Sequence, residues 1–88
     1  MPVVLRSGGF AIGIYVREHD PPHVHACYAG AEVVVEIESG LVRSIRGMKK
    51  PDVAEALRIV EAHRGELLAA WIEKRSATGG SRGKPRGE

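Results

Sequence analysis

Three of the four histidines of this 88-residue chain lie within Glu18-His19-Asp20-Pro21-Pro22-His23-Val24-His25. Histidine changes charge near neutral pH and is the commonest metal ligand, so the stretch can support two kinds of chemistry. In the first it holds a divalent metal. His23 and His25, two residues apart on an extended segment, project to the same side. His19 or Glu36 supplies a third ligand, leaving the open position that a catalytic zinc site keeps. Imidazole and carboxylate suit zinc, nickel or iron alike. In the second chemistry the stretch moves protons. His23 or His25 beside Glu36, with Tyr15 and Arg43 in reach, makes up the parts of a metal-independent ribonuclease. Histidine would transfer the proton and Arg43 would steady the developing phosphate charge. The inert counterpart of both is a hydrogen bond between His23 and Glu36 across two strands, with His19 capping the loop.

The elements that must position these side chains are short strands. From Phe10 to Arg17, Ile12, Ile14 and Val16 alternate with Gly13, Tyr15 and Arg17, the period of a half-buried strand. Pro21 and Pro22 donate nothing to a ladder and hold the connection extended. A second strand runs from His23 to Tyr28, Ala29-Gly30 turns the chain, and Ala31 to Glu38 alternates again. Ser39-Gly40 marks another turn before a fourth strand, Leu41 to Arg46. Two-residue turns would set His23 opposite Glu36, Val24 opposite Val35, Ile37 opposite Val42 and Glu36 opposite Arg43. Val24, Ala26, Val33, Val35, Ile37 and Val42 then share an apolar face. The other face collects His23, His25, Cys27, Glu32, Glu36, Arg43 and Tyr15, together with Val34 and Ile45.

Pro51 opens a helix in a first-turn position that suits it, with Asp52 and Glu55 complementing the N-terminus. Val53, Leu57, Val60, Leu67 and Trp71 fall on one stripe, widened by Ala56, Leu68 and Ile72. Gly65 costs roughly 1 kcal/mol against alanine in a helix interior and allows a break beside His63. The pattern predicts an α+β fold: a three- to four-stranded antiparallel meander with one C-terminal helix packed on one face. It divides the chain into a flexible arm over 1–9, a single domain over 10–75 and a disordered Gly/Arg-rich tail over 76–88.

Up to Arg75 ten Lys/Arg balance ten Asp/Glu, and the net charge of +2 comes from Arg82, Lys84 and Arg86 against Glu88. The body is therefore not a basic nucleic-acid platform, although nucleic acid is retained as a candidate partner. A single cysteine, Cys27, allows no internal disulfide. No apolar run approaches the ~20 residues that span a bilayer, and no signal peptide is read, so a cytoplasmic protein is expected. One helix cannot cover both faces of a sheet, which predicts a homodimer.

Phe10 through Tyr28-Ala29-Gly30, with the Pro-Pro-His-Val-His core, resembles the bacterial domain-of-unknown-function 4160 family, and His63, Glu66, Leu67 and Trp71 match its helical signature. The resemblance places the family motif on His19, Pro22, His23, His25, Tyr28, His63 and Trp71. It implies no established activity. Its members look like small proteins encoded beside another small domain, as in toxin–antitoxin-like or regulatory gene pairs. It thus implies a small binding module with a partner protein encoded nearby.

Overall fold

A computed structural model describes residues 1–15 and 17–80; the expectations for Val16 and for residues 81–88 of the tail lie outside the described residues. Five strands follow one another in a single antiparallel sheet: β1 (Val3–Ser7), β2 (Phe10–Gly13), β3 (His23–Tyr28), β4 (Ala31–Glu36) and β5 (Val42–Arg46). Two helices complete the chain, α1 (Lys50–Ala62) and α2 (Arg64–Gly80). The α+β class and the meander agree with the sequence pattern; the strand and helix numbers do not.

The additional strand comes from residues 1–9, expected as an arm. Gly8 and Gly9 both take positive φ, 55° and 85°, which is the two-residue turn that matches the twist of a hairpin. It folds β1 back along β2, pairing Ser7 with Phe10 and Val3 with Gly13. The additional helix comes from one residue. His63 leaves helical geometry at φ −115° and ψ 23°, although its N–H still reaches the Ile59 carbonyl at 3.1 Å. Helix α2 then continues to Gly80, five residues past the expected boundary.

Ala29 and Gly30, at φ 50° and 83°, form a second tight turn, and the β3–β4 register is the expected one from His23↔Glu36 to Tyr28↔Ala31. The β4–β5 register differs. The Ile37 amide bonds the Pro22 carbonyl at 3.0 Å, and the Gly40 amide bonds the Glu36 carbonyl at 2.9 Å. These bonds widen the turn, so that Val35 rather than Ile37 pairs with Val42. Between Val35↔Val42 and Val34↔Ser44 the ladder shifts by one residue, and Arg43 is the extra one. Ser44 therefore takes the place beside Val34 that the expected register assigns to Ile45, which pairs with Val33 and stays 53% exposed.

The core is one cluster beneath the helices: Phe10, Ile12 and Ile14, Val24 and Ala26, Val33, Val35 and Ile37, closed by Ala56, Ile59, Val60, Leu67 and Trp71. Burial of a side chain of this kind contributes about 1.5–3 kcal/mol, so this face dominates the stability of the domain. Ile72, expected on the stripe, is 61% exposed. No helix among the described residues is long and apolar enough to cross a membrane.

Candidate functional site

The site forms where the β2–β3 connection folds back over the start of β3. Strand β2 ends at Gly13, earlier than expected, because the Ile14 amide turns to the Pro2 carbonyl at 3.2 Å. The chain then carries Tyr15 and Glu18 across the face opposite the helices, and returns through the cis Asp20–Pro21 bond. His23 and His25 are consequently not on an open face: they are 4% and 9% exposed. The Tyr15 ring stands edge-on to His25 with centroids 4.6 Å apart, and Trp71 lies 5.2 Å from His23 at the other end.

Both imidazoles aim one nitrogen at a single oxygen. His23 Nε2 and His25 Nε2 each lie 2.7 Å from Glu18 Oε1. Their other nitrogens are held from behind. His25 Nδ1 lies 2.8 Å from Glu32 Oε2, and His23 Nδ1 lies 2.9 Å from the Pro21 carbonyl. A carbonyl and an ionised carboxylate only accept, so each Nδ1 carries the proton and donates it. Arg43 NH1 also comes within 3.1 Å of His23 Nδ1. A guanidinium only donates, so the two contacts exclude one another at that nitrogen; we assign the Nδ1–H tautomer, which satisfies the Pro21 carbonyl and leaves Arg43 without that bond.

With both Nδ1 positions protonated, each Nε2 lone pair faces the Glu18 Oε1 oxygen at 2.7 Å. That meeting is repulsive unless positive charge lies among the three atoms. Two extra protons would supply it, at the cost of placing two imidazolium rings, centroids 5.7 Å apart, beside the Arg43 guanidinium. A single divalent cation supplies the same charge at one point. The three ligand atoms already lie within 4.8 Å of one another. In a tetrahedral zinc site, ligands at about 2.1 Å from the metal are about 3.4 Å apart, so the two contacts to Glu18 Oε1 need to open by about 0.7 Å.

Burial works to raise the Glu18 carboxyl; with protons on the two Nε2 atoms, the hydrogen bonds and charges of His25 and His23 outweigh it and hold the group below the ordinary value, the proton-filled counterpart of a bound cation. For Glu32 the hydrogen bond from His25 leads; burial opposes it, and Arg46 at 3.2 Å adds to the lowering. Cys27 is pushed up, first by burial and then by the Glu32 charge, and remains a free thiol outside the convergent group.

A cavity of about 470 Å³ opens over the cluster, lined by Arg17, Glu18, His19, His23, His25 and Arg43, with Asp20, Val34 and Ser44. Of the expected site residues, the fold brings His23, His25, Tyr15 and Arg43 together. His19 reaches the cavity wall but is exposed and is not one of the three convergent ligands. Glu36 is not brought to His23 despite pairing with it in the ladder: its carboxylate accepts from Ser39 Oγ at 3.0 Å. The place assigned to Glu36 is taken by Glu18, and Glu32 is a second residue missed. Both carboxylates have a sequence signal, Glu18 inside the histidine stretch and Glu32 directly opposite Cys27 on the histidine face.

The sequence pattern described as Domain of unknown function (DUF4160) matches residues 9–72. The chain belongs to this family. The matched segment of the DUF4160 domain begins at the Gly8–Gly9 turn and ends just after Trp71, so it contains every residue of the cluster, α1 and the first half of α2. No curated protein and no solved structure matches the chain.

Proposed function

We propose that the DUF4160 domain is a small metal-binding module, holding one divalent transition ion between Glu18, His23 and His25. One observation carries the reading: both Nε2 atoms converge on Glu18 Oε1 while both Nδ1–H groups are engaged behind them. Ligating histidines ordinarily donate their second N–H to a carboxylate or a backbone carbonyl, and here Glu32 and the Pro21 carbonyl fill those two roles. Two histidines and one carboxylate on one side leave further positions open, as in catalytic zinc sites and the facial triads of iron enzymes. The donor set disfavours magnesium and calcium, which take oxygen ligands.

The test is metal uptake by the full chain, purified without a histidine tag and stripped with a chelator. Zinc or cobalt should bind at about one equivalent and raise the melting temperature, and Glu18→Gln and His25→Ala should each abolish the rise. Uptake below about a tenth of an equivalent overturns the reading. A metal-independent ribonuclease would use the same histidines; it requires RNA cleavage that persists in chelator and disappears with His25→Ala. Docking to a partner protein or a nucleic acid within a two-gene module, and homodimer formation, are compatible with either chemistry. Pull-down with the product of the neighbouring gene and the solution mass test them.

A further inference from the structure

Resting on the metal reading, we infer that the open side of the site is a subsite for a phosphate monoester, bound to the metal and clamped by Arg17 and Arg43. The charges around the cavity point there. Asp20 is paired with Arg75, so Arg17 and Arg43 outweigh Glu18 by one positive charge with the histidines neutral. A divalent ion at Glu18, His23 and His25 raises the sum to +3. A phosphate monoester carries about −1.5 to −2 at neutral pH and offsets most of it, whereas a diester or a carboxylate, with one negative charge, offsets far less.

The geometry supplies donors at the rim. Arg43 is the extra residue of the β5 bulge, and bulges re-aim side chains toward sites. Its guanidinium comes within 3.1 Å of His23 Nδ1, is exposed and lines the cavity, where it can turn to a ligand. Arg17 also lines the cavity, is exposed and makes no ion pair with any described residue. Ser44, at the next β5 position, adds a hydroxyl that donates or accepts. Asp20 is turned from this role by Arg75, which takes its carboxylate at 3.2 Å. A cavity of about 470 Å³ falls within the ~300–1,000 Å³ range of small-ligand sites.

The experiment follows the phosphorus resonance of inorganic phosphate, phenyl phosphate and dimethyl phosphate in the presence of cobalt-loaded full-length protein. Phosphate and phenyl phosphate should broaden and compete with each other; dimethyl phosphate should do neither, and acetate should not displace them. Arg17→Gln and Arg43→Gln should each weaken binding about tenfold, while Arg58→Gln, on the exposed face of α1, changes nothing. Cobalt uptake without phosphate broadening, or equal binding of the diester, overturns the subsite and leaves the metal site standing. Absence of cobalt uptake overturns both.

Discussion

Replacing Glu32 tests the support behind the metal ligands without touching a ligand. Its Oε2 accepts from His25 Nδ1 at 2.8 Å and its Oε1 accepts from Arg46 at 3.2 Å, with the side chain 19% exposed. Arg46 is 73% exposed, so that ion pair contributes little, about 0–1 kcal/mol. The bond to His25 matters more, because it fixes the tautomer that would present Nε2 to the proposed metal. Glu32→Gln keeps an acceptor oxygen and the ring orientation but removes the negative charge that makes the imidazole a stronger donor. Glu32→Ala removes both. Substitutions of such supporting groups cost about 10–100-fold in metal affinity, which is about 1.4–2.8 kcal/mol. The glutamine variant should fall near the lower bound and the alanine variant near the upper one. Arg46→Gln, which spares the bond to His25, should lie within about twofold of the parent. The assay is competition for zinc against a chromophoric chelator, with circular dichroism to establish that each variant is folded. If folded Glu32→Ala binds zinc as tightly as the parent, His25 is not a ligand through Nε2 and the site described above is wrong.

Four further outcomes follow from the same geometry. Gly65 sits in α2 with open space where a Cβ would stand, so Gly65→Ala should stabilise the domain by about 0.5–1 kcal/mol, read as an upward shift in the thermal midpoint. Gly13→Ala should do the reverse. The added Cβ would fall 2.5 Å from Met1 Cγ and 2.6 Å from the Pro2 carbonyl, so β1 must shift, and amide exchange should accelerate across Val3–Ser7 before it does elsewhere. Cys27, pushed up by burial and by Glu32, holds less thiolate at pH 7.5 than a free cysteine. Its alkylation should be slow, should accelerate at higher pH than for a model thiol, and should be faster in Glu32→Gln. Trp71→Ala should cost about 3–5 kcal/mol by emptying the core beside His23, measured as a lower urea midpoint.

The central hairpin was legible because Ala29-Gly30 is a two-residue turn between alternating strands, and that turn fixes which side His23 and His25 take. The Gly8–Gly9 turn carried the same signal. The segment before it, Val3-Val4-Leu5-Arg6-Ser7, lacks the alternation of a strand, so the sequence marks an arm there. The Arg43 bulge was not legible, since one extra residue leaves no mark in composition and yet inverts the facing of everything beyond it. The site was legible in its histidines and illegible in its carboxylate. Strand pairing favoured Glu36, but Ser39, three residues on, competes for that side chain, and the loop over 14–22 delivers Glu18 instead. A loop's path depends on where its ends are anchored, here the Pro2 carbonyl and the Asp20–Arg75 pair, and neither anchor lies nearby in sequence.

The chain contains a single tryptophan, and its indole stands 5.2 Å from the His23 ring with the Arg75 guanidinium 5.7 Å above it. Emission from the folded protein therefore comes largely from one dry, well-defined place beside the cluster. An open-shell ion such as copper or cobalt, if bound through the adjacent His23, would quench the excited indole, while closed-shell zinc would not. Occupancy, exchange between ions and the release of a bound ion can thus be followed optically in the unlabelled molecule, in real time and at low protein concentration.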